Sequence, residues 1–328
     1  MTIPTISPQR LRELRTAGMQ RLSPAAIFEV RGPGALTCLQ GLLTNDLVKP
    51  GDGALVYGAL LTPKGMIVVD GWTFRISAER LLFLTEPTGH DGIATIFHRT
   101  IPPRLAKATD RSADWESLWL HGEPVAGQME ALGHALPATV GGGCCTQNAG
   151  EAELVLGRPA PAAPFQALII GPKAAVGSLH ASLTAAGLAS GTAEDSRAFR
   201  MLAGWPGLGA EILEKTLPQE VRFDENAGVS YTKGCYTGQE TVARLHFRGH
   251  PNRELRGLIW ERTPAMDERG IVGEEGRDAG AVTSLLRLGE RVIGLGLVRR
   301  EIPLDSSVVA AGAPARVVAL PFAPSLKV

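Results

Sequence analysis

Little in this chain is extreme, and its scarcities exclude whole classes of protein. Among 328 residues only Cys38, Cys144, Cys145 and Cys235 carry thiols, and no two of them form a Cys-x-x-Cys pair. A disulfide scaffold or a self-sufficient zinc or iron–sulfur site needs more soft ligands at closer spacing, so no intrinsic metal or cluster is expected. Charge of one sign is also missing. Lys plus Arg and Asp plus Glu number 33 each, so no global field draws the molecule to nucleic acid, and any such contact is expected to be weak and local. Long apolar runs are absent as well. No stretch approaches the roughly 18 apolar residues of a membrane span, and Met1 to Arg15 holds no apolar signal core. The expectation is a cytoplasmic chain with reduced thiols and no membrane partner.

Against this plain background one octapeptide stands out, Lys233-Gly234-Cys235-Tyr236-Thr237-Gly238-Gln239-Glu240. Thr237 and Glu240 fit a Thr-x-x-Glu capping box, which predicts a helix running through Val242 and Leu245 and stopping at Gly249, before Pro251. Cys235 then lies beside a positive helix end and near the Lys233 ammonium, and both favour thiolate. Two flanking glycines let the backbone turn sharply and approach a bound molecule. A buried structural cysteine has no use for such neighbours. Lys233 is either a surface charge or a group that holds an anion or tunes the thiol. Glu240 is accounted for by the cap and by Arg244 four residues on.

Periodicity and turn residues predict helices at Pro8 to Ala17, Ala35 to Leu43, Gly89 to Thr100 and Lys173 to Ala186. Strands are predicted at Ala26 to Arg31, Ala54 to Leu61, Met66 to Phe74, Arg80 to Thr85 and Ala167 to Ile170. After Gly257 short glycine-rich strands follow one another without helices: Ala281 to Leu286, Val292 to Arg299, Ser307 to Ala310 and Pro314 to Leu320. That texture predicts a small antiparallel barrel, with a boundary near Pro251. In the second strand of the 54–74 hairpin, alternation puts Asp70 on one face with Val68, Trp72 and Phe74. A carboxylate on an apolar face needs a partner, and burial raises its pKa towards acid–base use. Arg244, Arg248, Arg253 and Arg256 form a local basic cluster suited to a carboxylate tail, an RNA phosphate or plain solvent. His246 and His250 have no third ligand for a metal. Gly141-Gly142-Gly143 lacks the Lys-Ser/Thr of a phosphate loop and reads as a linker. Cys144-Cys145 is incidental or redox-sensitive, with the first reading favoured.

The octapeptide resembles the signature of the YgfZ-type folate-binding proteins, relatives of the glycine-cleavage T-protein and of a mitochondrial iron–sulfur assembly factor. Cys38-Leu39-Gln40-Gly41-Leu42-Leu43-Thr44-Asn45-Asp46-Leu47, Thr62-Pro63-Lys64-Gly65-Met66, Arg248-Gly249-His250-Pro251-Asn252-Arg253 and the Gly280 to Ser284 and Gly294 to Gly296 stretches extend the resemblance along most of the chain. It implies an α+β fold, T-protein-like, with two α+β subdomains and a C-terminal antiparallel β-barrel around a central folate-sized opening. Residues 1–250 would form the folate-binding region, one subdomain combining about 1–48 with 151–250 and the other spanning about 49–150. Residues 251–328 would form the barrel.

The same resemblance implies a tetrahydrofolate cofactor, with Cys235, Lys233 and Asp70 doing chemistry at the cavity rim. It implies Asn45, Asp46, Lys64, Gly65, Asp70, Trp72, Arg200, Tyr236, Gln239, Arg244 and Arg248 as folate-binding residues. Two departures matter. Val69 replaces the first carboxylate of the T-proteins' Asp-Asp pair. Leu202, in Phe199-Arg200-Met201-Leu202-Ala203-Gly204, replaces a glutamate that accepts from the pterin's amino-pyrimidine edge. The implied function is an accessory factor that assembles or repairs iron–sulfur clusters in client proteins, including radical enzymes that modify tRNA. A folate-dependent aminomethyltransferase or demethylase is the alternative, and a tRNA- or protein-binding module on the same scaffold is a further one.

Overall fold

A computed structural model describes residues 3–138, 141–265, 267–273 and 276–322. The chain opens with β1 (Thr5–Ile6), α1 (Pro8–Thr16), β2 (Met19–Ser23), β3 (Ala26–Arg31) and α2 (Ala35–Gln40). A meander of β4 (Ala54–Leu61), β5 (Ile67–Ser77) and β6 (Arg80–Thr85) leads to α3 (His90–Thr100), β7 (Lys107–Asp110), β8 (Trp115–His121) and α4 (Val125–Ala131). Then come β9 (Gly143–Ala149), β10 (Ala152–Arg158), β11 (Ala167–Pro172), α5 (Lys173–Ala185), β12 (Ala189–Ser190), α6 (Ala193–Leu202) and α7 (Gln239–Arg248). The last strands are β13 (Arg253–Trp260), β14 (Gly270–Val272), β15 (Asp278–Leu288), β16 (Arg291–Arg299), β17 (Ser307–Ala310) and β18 (Ala313–Val318).

Two sheets result. One has eleven strands in the order β12-β2-β8-β11-β10-β9-β4-β5-β6-β3-β7. The other follows β15-β14-β17-β18-β13-β16 and closes on itself through β15–β16, with β1 added in parallel outside β15. This is the expected α+β class with a C-terminal antiparallel barrel. Closure removes the exposed edges that short, glycine-rich strands would otherwise present. Trp260 fills the barrel and donates its indole N–H to the Ala310 carbonyl at 2.9 Å. Gly294 makes room for it, because a Cβ there would sit 2.8 Å from the indole ring and 2.6 Å from the Ser284 carbonyl.

The eleven-stranded sheet has a seam. β9 and β4 share the single register pair Ala54 and Gly143, held by Leu55 N–H to the Gly142 carbonyl at 3.3 Å and Cys144 N–H to the Gly53 carbonyl at 2.7 Å. On one side β12, β2, β8, β11, β10 and β9 pack with α5, whose Val176, Leu179 and Leu183 are buried. On the other, β4, β5, β6, β3 and β7 pack with α2 and α3. Strand pairing therefore cuts across the expected division of about 1–48 with 151–250 against about 49–150. β3 joins the meander through β6, and β8 and β9 join β11 and β10. Residues 323–328, inside the expected 251–328 unit, lie outside the described residues.

Candidate active site and ligand cavity

A cavity of about 360 Å³ opens between the two strand groups. From the meander side Tyr57, Asp70, Trp72 and Thr85 line it, and from the other side Trp119, His121 and Phe165 do. Helix α6 and the loop behind it add Ser196, Arg197, Arg200 and Trp205. The helix starts here because Thr192 and Asp195 form a reciprocal capping box. The walls are aromatic. Tyr57 lies 4.7 Å from Trp205 and 5.1 Å from Trp72 between ring centroids, and Trp72 and Trp205 are stacked within 12° of parallel. Such surfaces suit a flat heterocycle.

Asp70 is the central polar group. Its Oδ2 accepts from the Tyr57 hydroxyl at 2.8 Å, whereas Oδ1 is buried with no partner among the described residues. Burial pushes its pKa up to about 6, opposed by the Tyr57 hydrogen bond. Burial, and after it the adjacent carboxylate, keep the Tyr57 phenol protonated. Across the cavity the buried His121 donates its Nδ1–H to the Pro164 carbonyl at 2.9 Å, and its Nε2 has no partner among the described residues. Ser196 Oγ and Arg197 Nε are likewise buried and unpaired. Four buried polar atoms without partners thus gather around one aromatic-walled space, where a solute with matching donors and acceptors recovers their desolvation cost.

Of the residues singled out in the sequence, Asp70, Trp72 and Arg200 line this cavity. Arg200 spends its Nη1 on the Trp205 carbonyl at 2.8 Å and on buried Glu211 at 2.5 Å. Glu211, which sequence reading missed, also accepts from Gly207 N–H and from the hydroxyls of Thr283 and Ser284 on β15. Leu202 is buried in the apolar core and is not part of the lining.

The remaining candidates assemble elsewhere, as one cluster of the three sequence motifs. Lys233 is buried, and its Nζ donates to the carbonyls of Gln40 and Leu43 at 2.6 Å and of Asn45 at 3.0 Å. Burial draws its pKa down to about 8, with Asp46 opposing. The three donors of this ammonium are spent on holding the turn after α2, so Lys233 is a staple and not the thiol's activator. Asn45 closes the same turn with Nδ2 on the carbonyls of Tyr57 and Ala227, and Asp46 accepts from Gln40 and the Val48 amide. Tyr236 is buried beneath the Lys233 cation, 4.9 Å from Nζ to ring centroid.

Gly238, and not Thr237, is the N-cap of α7, with φ 83 and no side-chain cap. The capping box does not form because the left-handed glycine turns the chain one residue later. A Cβ on Gly238 would lie 2.6 Å from the Thr62 carbonyl, which shows how tightly this loop sits on the Thr62–Gly65 turn. Gly65 is buried against Thr241 with φ 83, and Lys64 is exposed. Gln239 opens α7 with its N–H on the Tyr236 carbonyl, and Arg244 and Arg248 are exposed along it. Cys235 is exposed on this cluster and does not line the cavity. The expected placing of the thiol at the cavity rim is corrected accordingly: accessible, but at a separate surface. Burial raises the thiol pKa of Cys144 to about 12, which removes it from thiolate chemistry. Among the described residues no set of three His, Cys, Asp or Glu side chains could hold a metal, and no helix is long and apolar enough to cross a membrane.

Comparison with known proteins agrees with this fold. Residues 11–134 match the GCVT N-terminal domain. The tRNA-modifying protein YgfZ of Yersinia pestis (strain Pestoides F) is 35% identical over 109 residues, 32% of this chain and 33% of that protein. Its counterpart in Serratia proteamaculans (strain 568) is 36% identical over 111 residues, 32% of this chain and 34% of that protein. The aligned part thus spans about a third of these relatives' length. The crystal structure of the glycine cleavage system aminomethyltransferase T from Bartonella henselae superposes with a TM-score of 0.79 at 17% identity, covering 96% of this chain and 89% of that one. The family resemblance is borne out at this level: residues 11–134 match the GCVT N-terminal domain, the fold is T-protein-like, and the chain is similar to the YgfZ proteins over about a third of its length.

Proposed function

We propose that this chain is a tetrahydrofolate-binding accessory factor of the YgfZ type. Its folate site is the cavity between the strand groups, and its partners are iron–sulfur client enzymes, including those that modify tRNA. The observation that carries the reading is the set of unpaired buried atoms, Asp70 Oδ1 foremost, inside walls built of Tyr57, Trp72 and Trp205. A reduced pterin offers a flat ring for these walls and both donors and acceptors for those atoms. When bound, the folate would supply a one-carbon carrier or a structural ligand. Asp70 and Tyr57 would orient its ring, and the aromatic residues would exclude water from it.

The Cys235 thiol would act on the client rather than on the folate, since it faces outwards from the motif cluster. Lys233, Asn45 and Gly238 would fix the loop that presents it. Aminomethyl transfer is less well supported, because Leu202 offers the cavity no acceptor. The division into a folate-binding region at 1–250 and a barrel at 251–328, and a cytoplasmic location, belong to the same proposal.

Titration with tetrahydrofolate tests the site, read through tryptophan emission because Trp72, Trp119 and Trp205 all line it. A saturable change that Asp70→Asn weakens is expected. Absence of any change, with no heat of binding by calorimetry, would remove the folate reading. For the thiol, Cys235→Ser should lower cluster occupancy of client enzymes in cells, and unaltered occupancy would reject its role.

A further inference from the structure

The ligand-facing role of His121 goes beyond that reading, although it rests on it for the identity of the ring. His121 ends β8 on the side of the seam opposite Asp70. Its imidazole is wedged between Phe199, at 4.8 Å between ring centroids, and Phe165, edge-on at 6.5 Å, so its orientation is set by packing. A carbonyl oxygen can only accept. The 2.9 Å contact with the Pro164 carbonyl therefore places the ring hydrogen on Nδ1. Nε2 is then a bare lone pair in a side chain only 3% exposed, and it has no partner among the described residues. Asp70 Oδ1 is a second such acceptor, approaching the same cavity from the other strand group.

Two fixed acceptors flanking an aromatic slot select a planar ligand that carries more than one N–H donor. The 2-amino-4-oxo pyrimidine ring of a reduced pterin carries its amino hydrogens and a ring N–H side by side. The structure assigns to His121 the reading of this donor edge, with Nε2 accepting a hydrogen from it while Asp70 accepts another. His121 is thus a specificity residue: it separates the 2-amino ring from analogues that lack those hydrogens. The guanine base shares the edge, so the chemistry is common to a folate and a guanine nucleoside, and the test must separate the two.

The experiment measures binding of tetrahydrofolate and of its 2-desamino-2-methyl analogue to the intact chain, and of guanosine and inosine as a parallel pair. The wild type should prefer tetrahydrofolate over the desamino analogue by about 5- to 100-fold, the range expected when one buried acceptor is left unpaired. In His121→Phe that preference should collapse towards unity through loss of tetrahydrofolate affinity, with the analogue little changed. His121→Gln, which restores an acceptor, should recover part of it. Folding of each variant is checked by its melting temperature, and His121→Leu carries the same test should the phenylalanine variant not fold. Preference retained in His121→Phe, no preference in the wild type, or preference lost only in Asp70→Asn would each overturn the assignment. Binding of guanosine without tetrahydrofolate would reject the folate reading instead, and the guanosine-to-inosine ratio in His121→Phe would then judge His121 by itself.

Discussion

At the scale of single residues, Asp70 shows how a binding group and a stability liability coincide. In the unfolded chain its carboxyl ionises near pH 4, and in the fold near pH 6. Between those values the folded state holds the extra proton, so this group's contribution to stability falls as pH rises through the window. Its cost is fully present above about pH 6. Asp70→Asn should therefore melt at a higher temperature than wild type at pH 7.5, by up to about 3 kcal/mol of stability, with the gain vanishing near pH 4. The same substitution should weaken tetrahydrofolate binding, and wild-type affinity should fall as pH drops below 6. A variant neither more stable nor weaker in binding would contradict the buried, ligand-facing carboxylate. Lys233 behaves in the opposite way. Lys233→Met strands three carbonyls and should cost about 2–4 kcal/mol in denaturant melts. In the fraction that stays folded, Cys235 should react with a disulfide reagent at nearly the wild-type rate.

Asp70 and Trp72 were legible in the sequence because strand alternation places them on one face, and the cavity lies on that face. His121 was not legible. Its strand, Trp115–His121, interleaves Glu116, Ser117 and His121 with its apolar residues, and a lone histidine at a strand end gives no signal until Pro164 and Phe165 fold over it.

At the scale of elements, the runs that bury every residue were read to the residue. β4 is such a run, and β3 and β6, which bury all but their terminal Arg31 and Arg80, come close to it. β9 was lost because Gly143–Ala149 alternates half-buried and exposed polar positions, and its pairing with β10 supplies what the sequence does not. The start of α7 is displaced for a backbone reason: the left-handed Gly238 takes the cap that the Thr-x-x-Glu spacing assigns to Thr237. Gly238→Ala should test this. It combines a strained φ with a Cβ 2.6 Å from the Thr62 carbonyl, so a loss of about 2 kcal/mol or more is expected, together with new protease cleavage in the 233–240 loop. A variant with wild-type melting and no cleavage would show that the loop does not depend on its seat against the β4–β5 turn.

At the scale of the whole molecule, one carboxylate ties the barrel to α6 and the loop that line the cavity. Glu211 is fully buried and takes donors from Arg200 on α6, from Gly207 and from two hydroxyls on β15. Removing one partner of such a set leaves charge and hydroxyls unsatisfied. Glu211→Ala should cost about 3–5 kcal/mol. It should also split thermal unfolding into two transitions, which calorimetry resolves, as the barrel melts apart from the sheet. A single, unshifted transition would show that other contacts carry the coupling.

The narrow join at Ala54 and Gly143 has a consequence of its own. Two backbone hydrogen bonds are a weak clasp for so large a sheet, and the aromatic-walled space beside it takes its acceptors from both banks. A guest gripped by Asp70 on one bank and His121 on the other becomes the keystone of an arch. Occupancy would then be reported at the seam itself, as slowed deuterium uptake at the Leu55 and Cys144 amides.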